Sequence, residues 1–193
     1  MKIAVIGDIH GDKDALQEVM CTIGQSVDQI YSTGDLVGYK EYPNEVIEII
    51  RDNHIQVVQG NHDRKVGVAE HLKEVPYCYI TKDNIQYLLQ LEETLEFVIE
   101  GKKVLLFHSH PLTQDAYLFE EEHLLEPLAS ELPYDVFIFG HTHIPYVREI
   151  KGKYFINVGS VGLMKDGTTR ASYATIEILE NNISAEIQYI DRV

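Results

Sequence analysis

Near its start the chain reads KIAVIGDIHG at residues 2–11. The apolar, β-branched part of this segment, residues 3–6, predicts a buried strand. The strand leads through Gly7 to two polar side chains, Asp8 and His10. In open α/β sheets, ligands bind at the carboxyl ends of the strands. The segment therefore predicts an α/β protein whose functional site begins at the end of its first strand.

The residues that follow alternate between strand-like and helix-like patterns. Apolar runs at 29–32 and 55–58 are separated by amphipathic stretches at 14–23 and 45–51. Pro43 and Asn44 are favourable helix-start residues ahead of the second amphipathic stretch. This β-α-β-α-β order predicts parallel strands joined by right-handed helical crossovers.

The rest of the chain continues the same domain and then changes from mixed helices and strands to short antiparallel strands. We predict helix over about residues 62–92, interrupted at 76–78, and further helix around residues 118–132. Strands are predicted at 103–107 and 136–139, followed by four short alternating strands typical of antiparallel pairing. These four lie at residues 146–150, 153–158, 172–178 and 183–190. No linker or internal repeat is visible, so we predict one domain over residues 1–193.

Composition limits the classes of partner. A chain of 193 residues with 45% apolar content can bury one sizeable core. Its formal net charge is -15, and we find no basic cluster that would displace counterions from a long polyanion. We therefore expect a small phosphoester substrate and no nucleic-acid polymer as partner. Homo-oligomer formation is left open.

Cellular location is inferred from cysteines and apolar runs. Cys21 and Cys78 follow no zinc or redox spacing, so we expect small buried side chains in a reducing compartment. There is no basic leader followed by an apolar run, and no stretch of membrane-spanning length. We expect a cytoplasmic protein without a membrane partner.

Five apolar runs each end in a side chain that is able to bind a metal ion. In four of the five, a glycine immediately precedes that side chain, which lets the chain turn sharply or approach a bound group closely. If the strands are neighbours, the side chains meet at one place. The candidate metal ligands are Asp8, His10, Asp35, Asn61, His108, His141 and His143.

The chemistry of this set indicates two metal ions. Asp8 and His10, like His141 and His143, stand two residues apart, and in an extended segment such residues point the same way. Carboxylate, amide and imidazole donors without thiolate suit manganese, which we expect first, or iron, zinc, nickel or cobalt. Seven ligands exceed what one such ion normally takes. Two divalent transition-metal ions that share a bridging carboxylate would account for all seven ligands.

These segments resemble the motifs of the calcineurin-like metallophosphoesterase superfamily, in the same order. That family shows D-x-H, G-D, G-N-H, a lone His and G-H-x-H; here the matching segments begin at Asp8, Gly34, Gly60, His108 and Gly140. Residues 34–39 and 157–162 look like the small bacterial and archaeal phosphodiesterase branch. The resemblance implies an α/β fold, a four-layer αββα sandwich of two mixed β-sheets flanked by helices.

The resemblance also implies roles for individual residues. Asp35 would bridge the two ions, and His62 would face the substrate as the catalytic residue, stabilising phosphoryl oxygens or protonating the departing group. His110 is a further candidate for substrate contact, and Asp63 for a cap or supporting partner. One ion would be held by Asp8, His10, Asp35 and His143, and the other by Asp35, Asn61, His108 and His141.

Some positions depart from relatives in this superfamily. Protein phosphatases continue the second motif as G-D-x-x-D-R-G, whereas Gly38 and Tyr39 occupy the positions of the Asp and the Arg here, which disfavours phosphoprotein substrates. Relatives commonly have glycine after the lone histidine, where this chain has Ser109 and His110. The position directly after the apolar run favours His108 as the ligand.

The implied activity is hydrolysis of phosphodiester bonds by attack of a metal-bridging hydroxide. Two divalent ions would carry four positive charges, of which Asp8 and Asp35 cancel two, so the site would attract an anion despite the acidic surface. The same site also fits a phosphomonoesterase or a nucleotide pyrophosphatase. A non-catalytic scaffold of the calcineurin-like fold is the alternative from another class.

Overall fold

The computed structural model describes residues 1–74, 76–113, 115–180 and 182–191. The last two residues of the predicted domain, 192–193, lie outside this range. In chain order the strands are β1 (Lys2–Ile6), β2 (Gln29–Ser32), β3 (Gln56–Val57), β4 (Thr94–Ile99), β5 (Lys102–Phe107), β6 (Val136–Phe139), β7 (Tyr146–Ile150), β8 (Lys153–Asn157), β9 (Ala171–Leu179) and β10 (Asn182–Ile190). The helices are α1 (Lys13–Ile23), α2 (Pro43–Asp52), α3 (Asn61–Lys65), α4 (Lys82–Leu89) and α5 (Glu122–Glu131).

The strands form two mixed sheets of five strands each. The first has the order β10-β9-β1-β2-β3, and the second has the order β4-β5-β6-β8-β7. In the first sheet β1, β2 and β3 run parallel, while β9 pairs antiparallel with β1. In the second sheet β5, β6 and β8 run parallel, and β4 and β7 are antiparallel edges. The β-α-β-α-β expectation for the first part of the chain is confirmed.

Side chains that alternate along the central strands build the layers. In β1, Ile3 and Val5 lie in the core between the two sheets, whereas Ala4 and Ile6 lie in the core beneath α1 and α2. In β6, Val136 and Ile138 enter the inter-sheet core, and residues 137 and 139 enter a third core beneath α5. Three cores between four layers confirm the predicted αββα sandwich of two mixed sheets.

Local sequence explains why the helices begin where they do. The side chain of Asp12 accepts a hydrogen bond from the backbone N–H of Ala15 and so caps α1. Pro43 occupies the first turn of α2, where a missing N–H costs nothing. Both helices bury one apolar face, which in α2 consists of Val46, Ile47 and Ile50 with Pro43.

The region predicted as helix over 62–92 is only partly helical. It contains α3, single 3-10 turns at His71–Lys73 and Tyr77–Tyr79, and α4. Apolar residues between α3 and α4, such as Val66, Tyr77 and Ile80, enter the core from turns without helical periodicity. Strand β4 was not predicted, because its residues 94–99 follow α4 directly and their pairing partner β5 comes later in the chain.

Two further expectations need correction. The helix predicted around residues 118–132 is confined to α5, Glu122–Glu131, because residues 119–121 do not adopt helical geometry. Cys21 and Cys78 are exposed, not buried. Among the helices in the described part of the chain, none is long and apolar enough to span a bilayer.

Replacing Ile138 with alanine tests the inter-sheet core. Ile138 is fully buried between the sheets, and the Ile138→Ala variant should lose about 2 to 5 kcal/mol of unfolding free energy because it leaves a cavity. Val98, 64% exposed on the edge strand β4, is the control, and Val98→Ala should change stability by about 0.5 kcal/mol or less. Urea denaturation measures both. Similar small losses in the two variants would contradict this core.

Candidate metal centre

The strand ends bring the predicted ligands to one place. Asp8, Asp35, His108 and His141 follow β1, β2, β5 and β6, and Asn61 opens α3 after β3. Six of the seven side chains are buried, and Asn61 is half-buried. We call this group the ligand cluster; its members are Asp8, His10, Asp35, Asn61, His108, His141 and His143.

Left-handed backbone turns aim the cluster inward. The φ angles of Asp8, His10, Asp35, His141 and His143 are 51°, 55°, 53°, 68° and 60°. The backbone of these residues is therefore not extended as expected, although Asp8 and His10 still reach one group of donors. Non-glycine residues in this region cost about 1 to 2 kcal/mol each, and such strain gathers at functional sites.

The glycines before the ligands allow close approach. A Cβ atom on Gly60 would collide with the Asp35 carboxylate, and one on Gly140 would collide with Oδ2 of Asp8. Neither glycine has a positive φ. Their role is to leave space for the two carboxylates that enter the cluster.

One half of the cluster consists of Asp8, His10 and His143. The Nε2 atoms of His10 and His143 lie 3.1 Å apart, and Nε2 of His143 lies 3.1 Å from Oδ1 of Asp8. The backbone N–H of His141 donates to both oxygens of Asp8, at 3.2 and 3.0 Å, and fixes that carboxylate. These groups can hold one cation.

The other half consists of Asn61, His108 and His141. Nε2 of His108 lies 2.9 Å from Oδ1 of Asn61 and 3.2 Å from Nδ1 of His141. Asp35 lies between the halves, because its Oδ2 is 3.8 Å from Nε2 of His10 and 3.4 Å from Nε2 of His108. Asp35 is therefore within reach of donors from both halves.

Each histidine of the cluster donates a hydrogen bond to a backbone carbonyl from the ring nitrogen that points away from the cluster, here called the outer nitrogen; the other ring nitrogen is the inner one. These bonds fix the ring orientation and leave the inner nitrogen as an acceptor, which is the usual second contact of a metal-ligating histidine. The pairs are His10 Nδ1 with Val37 O, His108 Nδ1 with Thr33 O, His141 Nε2 with Asp115 O, and His143 Nδ1 with Leu163 O.

The ring nitrogens and carboxylate oxygens that face one another inside the cluster can bind a cation. Acceptor nitrogens face each other at 3.1 Å in one half and 3.2 Å in the other, next to buried carboxylate oxygens. Lone pairs that meet in a buried site repel one another unless a positive charge lies between them. The mixed oxygen and nitrogen donors suit divalent transition metals.

The electrostatics of the cluster point the same way. Burial alone would raise the pKa of Asp8 and Asp35, but neighbouring histidines hold both below the ordinary value, His143 for Asp8 and His108 for Asp35. Burial works to lower the pKa of His108, yet Asp35 and Asp8 raise it to about 10. The cluster attracts positive charge, and a proton on His108 supplies it when no metal ion does.

Asp63 supports the loop that carries Asp35. Its carboxylate accepts the backbone N–H groups of Asp35, Leu36, Val37 and Gly60 at 2.8 to 3.2 Å. Burial, with a contribution from Asp35, raises the pKa of Asp63 to about 7, and the N–H donors oppose that rise. The expectation of a capping or supporting partner is confirmed.

His62 borders the ligand cluster, whereas His110 lies outside it. The backbone N–H of His62 donates to Oδ1 of Asp35 at 2.8 Å, and its ring lies 4.9 Å from that of His10. Burial lowers the pKa of His62 to about 4. His110 lies outside the cluster, in the wall of an adjoining cavity, where its Nδ1 accepts the N–H groups of Leu112 and Thr113.

Two cavities border the cluster. One, of about 340 Å³, is lined by Asn61, His108 and His110 among others. The other, of about 300 Å³, is lined by His62, Tyr39 and Tyr77 among others. A bound molecule at the cluster therefore has room for a substituent on the Asn61 side and on the His62 side.

Sequence reasoning missed several contacts of the site. The hydroxyl of Tyr77 is hydrogen-bonded to Nδ1 of His62. The ring of Tyr117 stacks on His141 with 4.2 Å between centroids. Its loop is tied to α3 by an ion pair in which Nη2 of Arg64 donates to both oxygens of Asp115, at 2.7 and 2.9 Å. No sequence signal marks these residues, because each contact joins parts of the chain with no shared motif.

Comparison with known proteins finds one matching family model and several related proteins. A model of the calcineurin-like phosphoesterase superfamily domain matches residues 1–181. An uncharacterized protein of Methanocaldococcus jannaschii, MJ0912, is 34% identical over 221 residues, covering 98% of this chain and 87% of that protein. The phosphodiesterase YfcE of Escherichia coli is 30% identical over 203 residues, covering 100% of this chain and 94% of YfcE.

A solved structure agrees with these matches. The crystal structure of a metallophosphoesterase from Sphaerobacter thermophilus superimposes with a TM-score of 0.79 and 26% identity, covering 99% of this chain and 88% of that one. The alignment therefore takes in almost the whole chain, including both sheets.

Replacing Asp63 with asparagine should disturb the cluster without removing a ligand. An amide nitrogen would face N–H donors in place of a carboxylate oxygen, which should cost about 1 to 3 kcal/mol and weaken Mn²⁺ binding. The control is Asp83→Asn, an exposed carboxylate in the first turn of α4, where we expect less than about 1 kcal/mol. Urea denaturation and calorimetric Mn²⁺ titration measure the effects. Equal effects of the two variants would contradict the supporting role.

Metal binding should release protons. Because the pKa of His108 is raised to about 10, this ring is protonated at pH 7.5 without metal, and a divalent ion must displace the proton. Affinity should therefore rise as the pH increases toward 10 and fall as it decreases. Calorimetry of Mn²⁺ binding in buffers with different ionisation enthalpies should report release of about one proton from this group. Heats that do not depend on the buffer would contradict the prediction.

Proposed function

The chain belongs to the calcineurin-like phosphoesterase superfamily, and we propose that it hydrolyses phosphodiesters at a dinuclear metal centre held by the ligand cluster. The observation that carries this proposal is the division of the cluster into two halves that share Oδ2 of Asp35. In this arrangement Asp8, His10 and His143 serve one ion, and Asn61, His108 and His141 serve the other.

The donor set supports a choice of metals. Oxygen donors from Asp8, Asp35 and Asn61 alongside four imidazoles suit Mn²⁺, which we propose first, with iron, zinc, nickel or cobalt as alternatives. When bound, the ions would supply Lewis acidity at the phosphoryl oxygens and lower the pKa of bound water to about 7. The two carboxylates leave the loaded centre cationic, so it attracts an anionic ester.

The protein's own groups orient the reaction. The backbone N–H of His141 fixes the carboxylate of Asp8, and that of His62 fixes the carboxylate of Asp35. These bonds hold the two halves of the cluster in position relative to each other. The half-buried His62 lies beside the cluster and lines the second cavity. From there it can donate a hydrogen bond or a proton to the departing oxygen.

The two cavities favour a diester over a monoester. A diester carries an organic group on each side of phosphorus, and the cluster has a cavity on the Asn61 side and another on the His62 side. The two cavities therefore support a substrate with two substituents on phosphorus.

Metal reconstitution tests the proposed function. The protein is stripped of metal and reloaded separately with Mn²⁺, Ni²⁺, Zn²⁺ or Fe²⁺, and each form is assayed on a nitrophenyl diester, a nitrophenyl monoester and cyclic nucleotides. We expect turnover of diesters, with Mn²⁺ the most effective ion. Preference for the monoester would indicate a phosphomonoesterase. No hydrolysis of any substrate with two ions bound would support the scaffold alternative.

Leaving-group dependence tests His62. An alkoxide departs with more negative charge than a nitrophenolate, so it depends more on a hydrogen donor. We expect His62→Ala to lower kcat by about 100-fold for a diester with an alkyl leaving group, and by clearly less for one with a nitrophenyl leaving group. His123→Ala, at an exposed position of α5, is the matched control and should change neither rate. Equal losses on both diesters would show that His62 does not assist departure.

A further inference from the structure

We infer that Tyr77 is the positioning residue of His62: its hydroxyl holds the imidazole through Nδ1 in the tautomer that carries its hydrogen on Nε2. The inference rests on the proposed function in one respect only, that His62 acts on the substrate. It adds how the ring is held and which of its nitrogens faces the substrate.

The direction of the hydrogen bond sets the tautomer. The Tyr77 hydroxyl is bonded to Nδ1 of His62, and it has no other hydrogen-bond partner among the described residues. Burial raises the pKa of Tyr77, so the phenol keeps its proton. Since no other acceptor for that proton lies among the described residues, we assign the phenol as the donor and Nδ1 as the acceptor, which places the imidazole hydrogen on Nε2.

Packing holds the two rings in this relation. Tyr77 is 6% exposed and belongs to the core beneath α1 and α2. Its ring is nearly parallel to that of His62, at an interplanar angle of 11°. The rings of His10 and Tyr39 contact His62 at 4.9 Å, at angles of 80° and 51°. Rotation of the imidazole would break the hydrogen bond and disturb these ring contacts.

The remaining nitrogen is the one available to the substrate. A ring nitrogen of His62 lies within 4.8 Å of ligand atoms of His10 and Asp35, so the imidazole borders the cluster. Because Nδ1 is engaged by Tyr77, Nε2–H is the donor that can reach an oxygen of a bound ester. The cavity lined by His62 and Tyr77 receives the departing group.

The phenol has a different chemical effect from a carboxylate. A carboxylate beside Nδ1 accepts a hydrogen and stabilises an imidazolium ion. A phenol that donates to Nδ1 leaves the ring hydrogen on Nε2. His62 then presents Nε2–H to the departing oxygen.

The first test observes the tautomer directly. Nitrogen-15 spectra of histidine-labelled protein are recorded in the metal-free and Zn²⁺-loaded forms, with His62 assigned from the His62→Gln variant. We expect Nε2 to carry the hydrogen and Nδ1 to accept in wild type, and a mixture of tautomers in Tyr77→Phe. A hydrogen on Nδ1 of His62 in wild type would overturn the inference, whatever the activity.

The second test is a double-mutant cycle. Tyr77→Phe keeps the ring and should lower kcat for an alkyl-leaving diester by about 10-fold with little change in KM. In the His62→Ala background the same substitution should cause no further loss, because Tyr77 acts through His62. Losses that multiply would show a packing effect and overturn the inference. Tyr79→Phe is the control, since this side chain is 57% exposed in the same turn.

The two tests separate the possible failures. If wild-type protein hydrolyses no diester, the proposed function fails, while the spectra still decide how His62 is held. If diesters are hydrolysed but Tyr77→Phe retains the Nε2–H tautomer and full activity, the inference fails and the proposed function stands. Urea denaturation of Tyr77→Phe establishes that the variant is folded before either result is read.

Discussion

The site depends on buried electron-pair donors that face one another and therefore require a positive charge between them. Each cluster histidine directs its hydrogen outward to a backbone carbonyl, so its other nitrogen meets the carboxylates of Asp8 and Asp35 as an acceptor. In a buried site this arrangement is unfavourable until a cation or a proton enters it. Asp35 lies between the two halves, and this position supports the proposed pair of neighbouring cations.

The fold supplies the rigidity that this arrangement requires. Parallel strands from both sheets end at the same edge, and the inter-sheet core fixes the two sheets against each other. Tight left-handed turns then carry the side chains inward, while Gly60 and Gly140 leave space for the carboxylates. Asp63 ties the Asp35 loop to the start of α3. These contacts offset the backbone strain at the ligands.

Sequence predicted the sandwich and the gathering of the cluster, because alternating apolar strands have few stable arrangements and each ligand directly follows such a strand. It failed where packing overrides local pattern: the 62–92 segment enters the core through turns, and Asp8 and His10 adopt left-handed rather than extended backbone. Tyr77 carried no signal, since its contact with His62 depends on how an irregular segment folds back across the site. Metal ligation by the individual residues stays a prediction.

The central claim is that two cations occupy the cluster with Asp35 between them. Anomalous diffraction from crystals of the Mn²⁺-loaded protein tests it most directly. The account predicts two manganese peaks about 3.5 to 4 Å apart. One should contact His10 and His143, the other His108 and His141, and Asp35 should contact both. A single peak, or manganese bound away from Asp35, would contradict it.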